Sequence, residues 1–319
     1  MSKGLASRAM LVNLVISQWL TRIVDKTITW QIANDHKASK DAGTYRKRLL
    51  ANRGAVASVQ SAASALRKYH GQMTLPWTKG VGILASSKYT EYSSKMRELI
   101  DEFKAAVLAF LREYPVLKDA AKYDLGDMWN DTDYPDPDRL KERFDVRVDV
   151  FPVPQAGDWR VEITNKEIEK LDKEIEQREK EHTKEAMNKL WERLYKPVKH
   201  MVGVLNKDNP KIFKTLVSNI MDLTEILPDL NFIDDPKLEE LRKEVQDKLC
   251  EVSIDELKES KYFRETIAGK AEELRQKIKE GGNIKDNDIL EMMSGYVGNE
   301  VVEEFGPPVV GQRKIKGVK

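Results

Sequence analysis

The sequence predicts a mainly α-helical protein, an elongated helical bundle or coiled coil with a single β-hairpin. Charged residues make up 34% of the 319-residue chain, hydrophobic residues 40% and aromatic residues 8%. This balance is typical of amphipathic helices with solvated faces rather than of a β-sandwich. In addition, apolar residues recur every three or four positions along most of the chain and alternate with polar ones in one region. This pattern favours helices around one pair of strands.

Two helices are predicted in the first 70 residues. In residues 11–32, apolar side chains fall three and four positions apart, on one helix face. They are Leu11, Val12, Val15, Trp19, Ile23 and Val24. The second helix runs from about residue 41 to residue 70. It ends before Thr74-Leu75-Pro76-Trp77, because proline lacks a backbone donor and restricts the residue before it.

The next helix has the most regular apolar pattern in the chain. Its core-facing residues recur with a period near 3.6 from Tyr92 through Phe103 to Tyr114, and Pro115 is predicted to stop it. A loop rich in Asp, Asn and Pro follows at residues 127–138. Within this loop, Asp136 and Pro137 are an N-cap and first-turn pair, which predicts a short helix through residue 143.

The apolar period changes to two at residues 144–163. Apolar residues alternate with charged ones on both sides of a loop that contains Pro and Gly. They are Phe144, Val146, Val148 and Val150 before the loop, and Trp159, Val161 and Ile163 after it. This alternation predicts a β-hairpin. Because two strands alone are marginally stable in water, the hairpin must rest on helices or join a partner's sheet.

Charged helices are predicted for the C-terminal half. A long helix begins at residue 165, with Ile168, Leu171 and Ile175 as a partial heptad. It either projects into solvent or forms one arm of a coiled-coil hairpin. Further helices are predicted after Asn209-Pro210, after Asp235-Pro236, from the capping box of Ser253 and Glu256 to residue 278, and at about residues 287–305.

These elements predict four regions. An N-terminal helical domain at residues 1–164 ends in the β-hairpin, and the long charged helix at residues 165–200 connects it to a C-terminal helical domain at residues 201–306. Residues 307–319 are a basic tail that we expect to be disordered. The sequence contains no apolar stretch long enough to span a bilayer, and the single Cys250 allows no intramolecular disulfide. We therefore expect a cytoplasmic protein.

Charge is distributed unevenly along the chain. The first 80 residues contain thirteen Lys and Arg against three Asp and no Glu, whereas the remaining 239 contain 41 basic and 50 acidic residues. The candidate contact residues are Lys37, Lys40, Arg46, Lys47, Arg48, Arg53, Arg67 and Lys68. On one helix face these residues would neutralise several phosphates of a nucleic acid. The alternative is that they pair with acidic helices of this chain or of a second copy.

No residue pattern predicts a catalytic or metal site. The four histidines are at least eighteen residues apart and form no metal-binding pair. Aspartates cluster between Asp124 and Asp138, but turn formation and helix capping explain most of them. If carboxylates do converge in space, the first candidates are Asp127, Asp131 and Asp133.

The glycine pattern at Gly80 and Gly82 matches the letters of a dinucleotide-binding fingerprint. No hydrophobic strand is predicted before it, so the match does not indicate a nucleotide site. We therefore expect no enzymatic activity, no metal and no cofactor.

The middle of the chain resembles a known family. The residues that carry the resemblance are Thr74-Leu75-Pro76-Trp77, Tyr92, Met96, Phe103, Val107, Phe110-Leu111, Tyr114-Pro115, Leu125-Gly126, Tyr134-Pro135, Phe144, Pro152-Val153-Pro154 and Asp158-Trp159-Arg160-Val161. Together they are similar to a family of tailed-phage and prophage proteins known as a domain of unknown function, over about residues 10–200. The resemblance implies a phage origin and neighbouring genes for a MoxR-type AAA+ ATPase and a von Willebrand A-domain protein. It implies no catalytic residues.

The expected function is a non-enzymatic interaction, adaptor or assembly component that works with an AAA+ ATPase in the host cytoplasm. We expect a homo-oligomer, a complex with that ATPase, or both, and no contact with a membrane. One alternative is a nucleic-acid-binding protein of phage recombination or replication that uses the basic residues. A second alternative is a structural protein of the virion.

Overall fold

The structure, a computed structural model, describes residues 5–50, 54–157 and 164–284. These residues form a mainly α-helical fold with a small antiparallel sheet, which confirms the predicted fold class at that level. Residues Met1–Asn283 group into one compact unit. The predicted helix at about residues 287–305 and the predicted tail at residues 307–319 lie outside the described residues.

The described elements follow one another along the chain in two groups. The first group is α1 (Leu5–Arg8), β1 (Ala9–Ser17), β2 (Arg22–Val24), α2 (Lys26–Asp35), β3 (Arg46–Arg48), α3 (Gly54–Met73), β4 (Leu75–Thr78), β5 (Val81–Ala85), α4 (Tyr89–Leu125), α5 (Pro137–Lys141) and β6 (Asp145–Pro152). The second group is α6 (Asn165–Leu205), α7 (Thr215–Leu230), α8 (Pro236–Val245), a π-helical turn (Gln246–Cys250), α9 (Ile254–Glu259) and α10 (Lys261–Gly281).

The predicted helix at residues 11–32 is wrong, because its first part is strand β1. The even-numbered residues of β1, from Met10 to Ile16, pack against the core formed with α3 and α4. On the opposite face, Leu11 is also buried. A strand that is apolar on both faces also places apolar residues at helical spacing, so periodicity alone does not distinguish the two. Within that stretch only residues 26–32 are helical, and they belong to α2, which continues to Asp35.

The prediction of a single β-hairpin at residues 144–163 is also wrong. The described strands form a four-stranded antiparallel sheet in the order β4-β5-β1-β6 and a separate two-stranded ribbon of β2 and β3. Strand β6 pairs with β1, from Met10 opposite Pro152 to Ser17 opposite Asp145. Strands β4 and β5 are antiparallel neighbours that flank Lys79 and Gly80. Residues 158–163, which contain most of the second predicted strand, lie outside the described residues.

Two helix boundaries differ from their predicted positions. Helix α3 begins at Gly54 rather than near residue 41, because Arg46–Arg48 is strand β3. Helix α4 continues through Pro115 to Leu125. An internal proline costs about 3 kcal/mol, but the buried face of α4 continues beyond it with Leu117 and Ala121. Packing along that face therefore outweighs the lost backbone hydrogen bond.

Helices pack on both faces of the sheet, although β6 keeps exposed side chains such as Phe151. On one face, α3 and α4 form a core around Val12, with Phe103 and Phe110 among its largest fully buried side chains. On the other face, α6 packs against β4, where the rings of His182 and Trp77 lie 5.2 Å apart between centroids.

Helix α6 begins at the predicted residue and continues through residue 200 without a break. Thr164 and Glu167 form a capping box at its start. Its first half is charged and largely exposed, whereas its second half buries Leu190 and Leu194 and packs against α7 and α10. The division of the chain at residues 164 and 200 stays a prediction. Among the described residues, no helix combines the length and the apolar character needed to cross a bilayer.

Candidate binding surface

The ribbon of β2 and β3 collects arginines on one face. Arg22 lies directly opposite Arg48, and Val24 lies opposite Arg46. Because successive strand residues point to opposite faces, Arg22, Arg46 and Arg48 share one face, and all three are exposed. We call this surface the arginine face.

The opposite face of the ribbon contains Lys47, which is only 6% exposed. Its Nζ lies 2.9 Å from Asp133 Oδ2 and 3.3 Å from Asp25 Oδ2, and it donates a hydrogen bond of 2.8 Å to the Met128 carbonyl oxygen. Burial acts to lower the pKa of the Lys47 ammonium, but the hydrogen bonds to Asp133 and Asp25 outweigh burial and raise this pKa. Lys47 is therefore a charged structural residue and not part of the surface.

Asp25 links this buried cluster to α2. Its Oδ1 accepts hydrogen bonds of 3.1 Å from the backbone N–H groups of Thr27 and Ile28, so it caps the helix N-terminus. The hydrogen bond from Ile28 and the contact with Lys47 hold the pKa of Asp25 below its ordinary value. Asp25 therefore fixes α2 relative to the ribbon.

The predicted contact residues do not lie on one helix face, because residues 36–48 contain a loop and a strand. Lys37 and Lys40 are exposed in the loop at residues 36–45. Arg67 and Lys68 are exposed on α3, roughly 20 Å along that helix from its first residue. Arg53 lies outside the described residues.

Exposed apolar side chains lie on β2 and on the segments that precede and follow it in the chain. Trp30 on α2 is 54% exposed, and Leu20, Val24 and Ile32 are also exposed. Neither Arg22 nor Trp30 is among the contact residues predicted from the sequence. The spacing of Trp19, Trp30 and Tyr45 does not indicate a stacking platform, and Arg22 becomes a neighbour of Arg48 only once β2 and β3 pair.

A cavity of about 280 Å³ lies between α2 and the loop at residues 36–45. Its walls include Ile32, Ala33, His36, Ala42 and Tyr45. No sequence pattern marked this cavity, because its walls meet only after the loop turns back onto α2. It lies beside the ribbon, since Tyr45 directly precedes β3.

The other candidate groups have structural partners. Asp131 Oδ1 lies 2.8 Å from Lys118 Nζ, so Asp131 and Asp133 pair with different lysines. His70 Nδ1 lies 2.8 Å from the Tyr92 hydroxyl. Burial raises the pKa of the Cys250 thiol. Within the part of the chain that the structure describes, no group of three or more His, Cys, Asp or Glu residues is arranged to hold a metal ion.

Comparisons with known proteins identify no relative of this chain. No protein-family model, no curated protein and no solved structure matches the chain. The fold and surface therefore define a mainly α-helical protein with a small antiparallel sheet and an exposed arginine face.

Proposed function

We propose that this protein is a non-enzymatic binding protein and that its arginine face contacts nucleic acid. The observation that carries the proposal is the exposure of Arg46 and Arg48 beside Arg22. Neither Arg46 nor Arg48 forms an ion pair within the described residues. The acidic residues that the structure describes therefore leave both guanidinium groups available to an external anion.

The charge balance around the ribbon supports the same partner. Between residues 22 and 48 the chain contains seven Lys and Arg against three Asp. Asp25 is used by Lys47 on the buried face, which leaves six basic residues and two aspartates. A positively charged surface of this kind binds phosphates and releases their counterions.

The exposed Trp30 supports single-stranded nucleic acid in particular. Proteins that bind single strands combine cationic grooves with aromatic side chains on which bases stack. Trp30 lies on α2, the helix that directly follows β2. A single strand that passes over both elements would place phosphates on arginine and a base on tryptophan.

The test is the affinity for single-stranded and double-stranded DNA, measured by fluorescence anisotropy at several salt concentrations. We expect the double variant Arg46→Glu with Arg48→Glu to lose at least about tenfold in affinity at low salt and to show a smaller salt slope. The control is Lys207→Glu with Lys211→Glu, which makes the same charge change at two exposed lysines after α6. The proposal fails if the native protein does not bind at low salt, or if the two double variants bind equally well.

A second candidate is a phage-encoded adaptor or assembly component that works with an AAA+ ATPase. The observation that favours it is the first half of α6, which is charged and carries the half-exposed Ile168, Leu171 and Ile175. These positions support a coiled-coil contact with a partner helix, as in an elongated assembly or a homo-oligomer in the host cytoplasm.

Co-purification with an ATPase encoded next to this chain tests the adaptor function. A complex and a changed ATPase rate are expected, and the absence of both would exclude this function. A third possibility, a structural role in the virion, predicts that the chain is present in purified particles.

A further inference from the structure

The cavity between α2 and the loop at residues 36–45 has a fixed shape. The backbone N–H of Tyr45 donates a hydrogen bond of 2.9 Å to Thr29 Oγ1, and that hydroxyl donates one of 2.6 Å to the Asp25 carbonyl oxygen. At the other end of the loop, the Ala38 N–H donates a hydrogen bond of 2.8 Å to the Ala33 carbonyl oxygen. The loop is therefore tied to α2 at both ends, so a ligand would not have to order it.

The residues that line the cavity favour an aromatic ring as the ligand. Ile32, Ala33 and Ala42 line the cavity together with His36 and Tyr45, and the Tyr45 hydroxyl lies 3.5 Å from Met128 Sδ. Among the described residues that line the cavity there is no carboxylate. Its volume of about 280 Å³ is slightly below the usual range for drug-sized ligands and has room for one ring system.

The arginines of β3 favour an anion attached to this ring. In the loop, Lys37 and Lys40 are exposed together with Asp41, and Asp35 is exposed at the end of α2, so the net positive charge comes from the ribbon. Arg46 follows Tyr45 directly, and Arg48 lies about 7 Å beyond Arg46 along the strand direction. A planar ring attached to a chain of negative charges is the chemistry of a nucleotide in a nucleic-acid strand.

We propose that this cavity takes one unstacked base of a single-stranded nucleic acid whose phosphates lie on the arginine face. This inference rests on the proposed function, which it deepens by assigning a base-binding site. Bases of single strands are bound by stacking on Tyr and His side chains. Tyr45 and His36 supply one residue of each type at this cavity.

The experiment compares two oligonucleotides of equal length, a thymidine homopolymer and an abasic strand with the same number of phosphates. We expect the native protein to bind the thymidine strand roughly tenfold more tightly, as for one stacked base. Two separate variants, Ala33→Leu and Ala42→Leu, place a larger side chain in the cavity. Each is expected to lose part of the native preference for the thymidine strand, because a base still stacks on Trp30, while its salt dependence stays unchanged.

The control is Ala105→Leu, the same change at an exposed position of α4, and it should retain the native preference. Equal affinity of the native protein for both strands would overturn the base site and the stacking on Trp30, but it would leave the phosphate contacts of the proposed function intact. The base site is also overturned if both cavity variants keep the native preference for the thymidine strand over the abasic strand. If the native protein binds neither strand, both proposals fail.

Discussion

Lys47 Nζ and Asp133 Oδ2 form an ion pair of 2.9 Å inside the protein, between residues that are 86 positions apart. With Asp25 and the Met128 carbonyl oxygen, this pair joins the ribbon, the start of α2 and the turns that follow α4. The arginine face and the cavity both depend on elements that this cluster fixes.

The first prediction concerns the charge of Lys47. In Lys47→Met the carboxylates of Asp25 and Asp133 lose their buried cation. Because breaking a buried ion pair by removing one partner leaves an uncompensated charge, we expect a loss of about 3 kcal/mol or more in the free energy of unfolding, measured in urea. Adding Asp133→Asn to this variant should recover part of the loss. A loss below about 1 kcal/mol in the single variant would show that the cluster is not structural.

The second prediction concerns acid pH. Because the pKa of Asp25 is lower in the folded protein than in the unfolded chain, its stabilising contribution is present above the unfolded pKa of about 3.9 and is lost as the pH falls through the folded pKa. Many other carboxylates titrate in this range, so the native protein is compared with Asp25→Asn. The difference in their free energies of unfolding should be largest at pH 5 to 7 and should shrink below pH 4. A constant difference would contradict the lowered pKa.

The third prediction concerns the close contact between β5 and the end of α3. A Cβ atom at Gly82 would lie 2.7 Å from Thr74 Oγ1 and 2.8 Å from Thr74 Cβ. We expect Gly82→Ala to lower the free energy of unfolding by about 1 to 3 kcal/mol, because an overpacked site forces its neighbours to move.

Gly71→Ala is the matched control for that variant. It lies in α3, and its Cβ would meet nothing within 4 Å. It should therefore raise stability by roughly 0.5 to 1 kcal/mol through helix propensity. If the two variants shift the urea midpoint in the same direction, the contact between Gly82 and Thr74 is not as close as described.

The fourth prediction concerns a buried hydroxyl. The Tyr134 hydroxyl donates a hydrogen bond of 2.6 Å to the Leu49 carbonyl oxygen, directly after β3. Removing it in Tyr134→Phe leaves a buried acceptor without its partner, so we expect a loss of about 1 to 2 kcal/mol in the free energy of unfolding. Tyr123→Phe, at a side chain that is 90% exposed, should cause no measurable change. Equal effects of the two changes would show that the hydroxyl of Tyr134 contributes nothing.

The sequence predicted those elements whose periodicity was unambiguous. Helix α4 was predicted because apolar residues occupy only one of its faces, from Tyr92 to Tyr114. Strand β1 was not predicted, because both of its faces carry apolar residues and its partners lie far away in the chain. The end of α4 was misplaced for a related reason: local propensity favours a stop at Pro115, but tertiary packing continues beyond it.

The candidate surface was predicted in composition but not in geometry. Arg46 and Arg48 were identified as basic contact residues, and they are exposed. Lys47 was grouped with them because a helix would allow all three to point outward, whereas a strand turns the middle residue to the opposite face. Its acidic partners at positions 25 and 133 belong to other elements, so local sequence does not reveal them. The cavity depends on the same long-range placement.

The central position of β1 has a consequence for synthesis on the ribosome. This strand leaves the ribosome before the other strands of its sheet, and its neighbour β6 begins 128 residues after β1 ends. At about 5 to 20 residues per second, translation separates the two by roughly 6 to 26 s. During that interval a nine-residue apolar strand has an unpaired edge, which is open to a chaperone or to another nascent chain. Because the sheet closes only after β6 has been made, synthesis sets the earliest time at which the N-terminal core is complete.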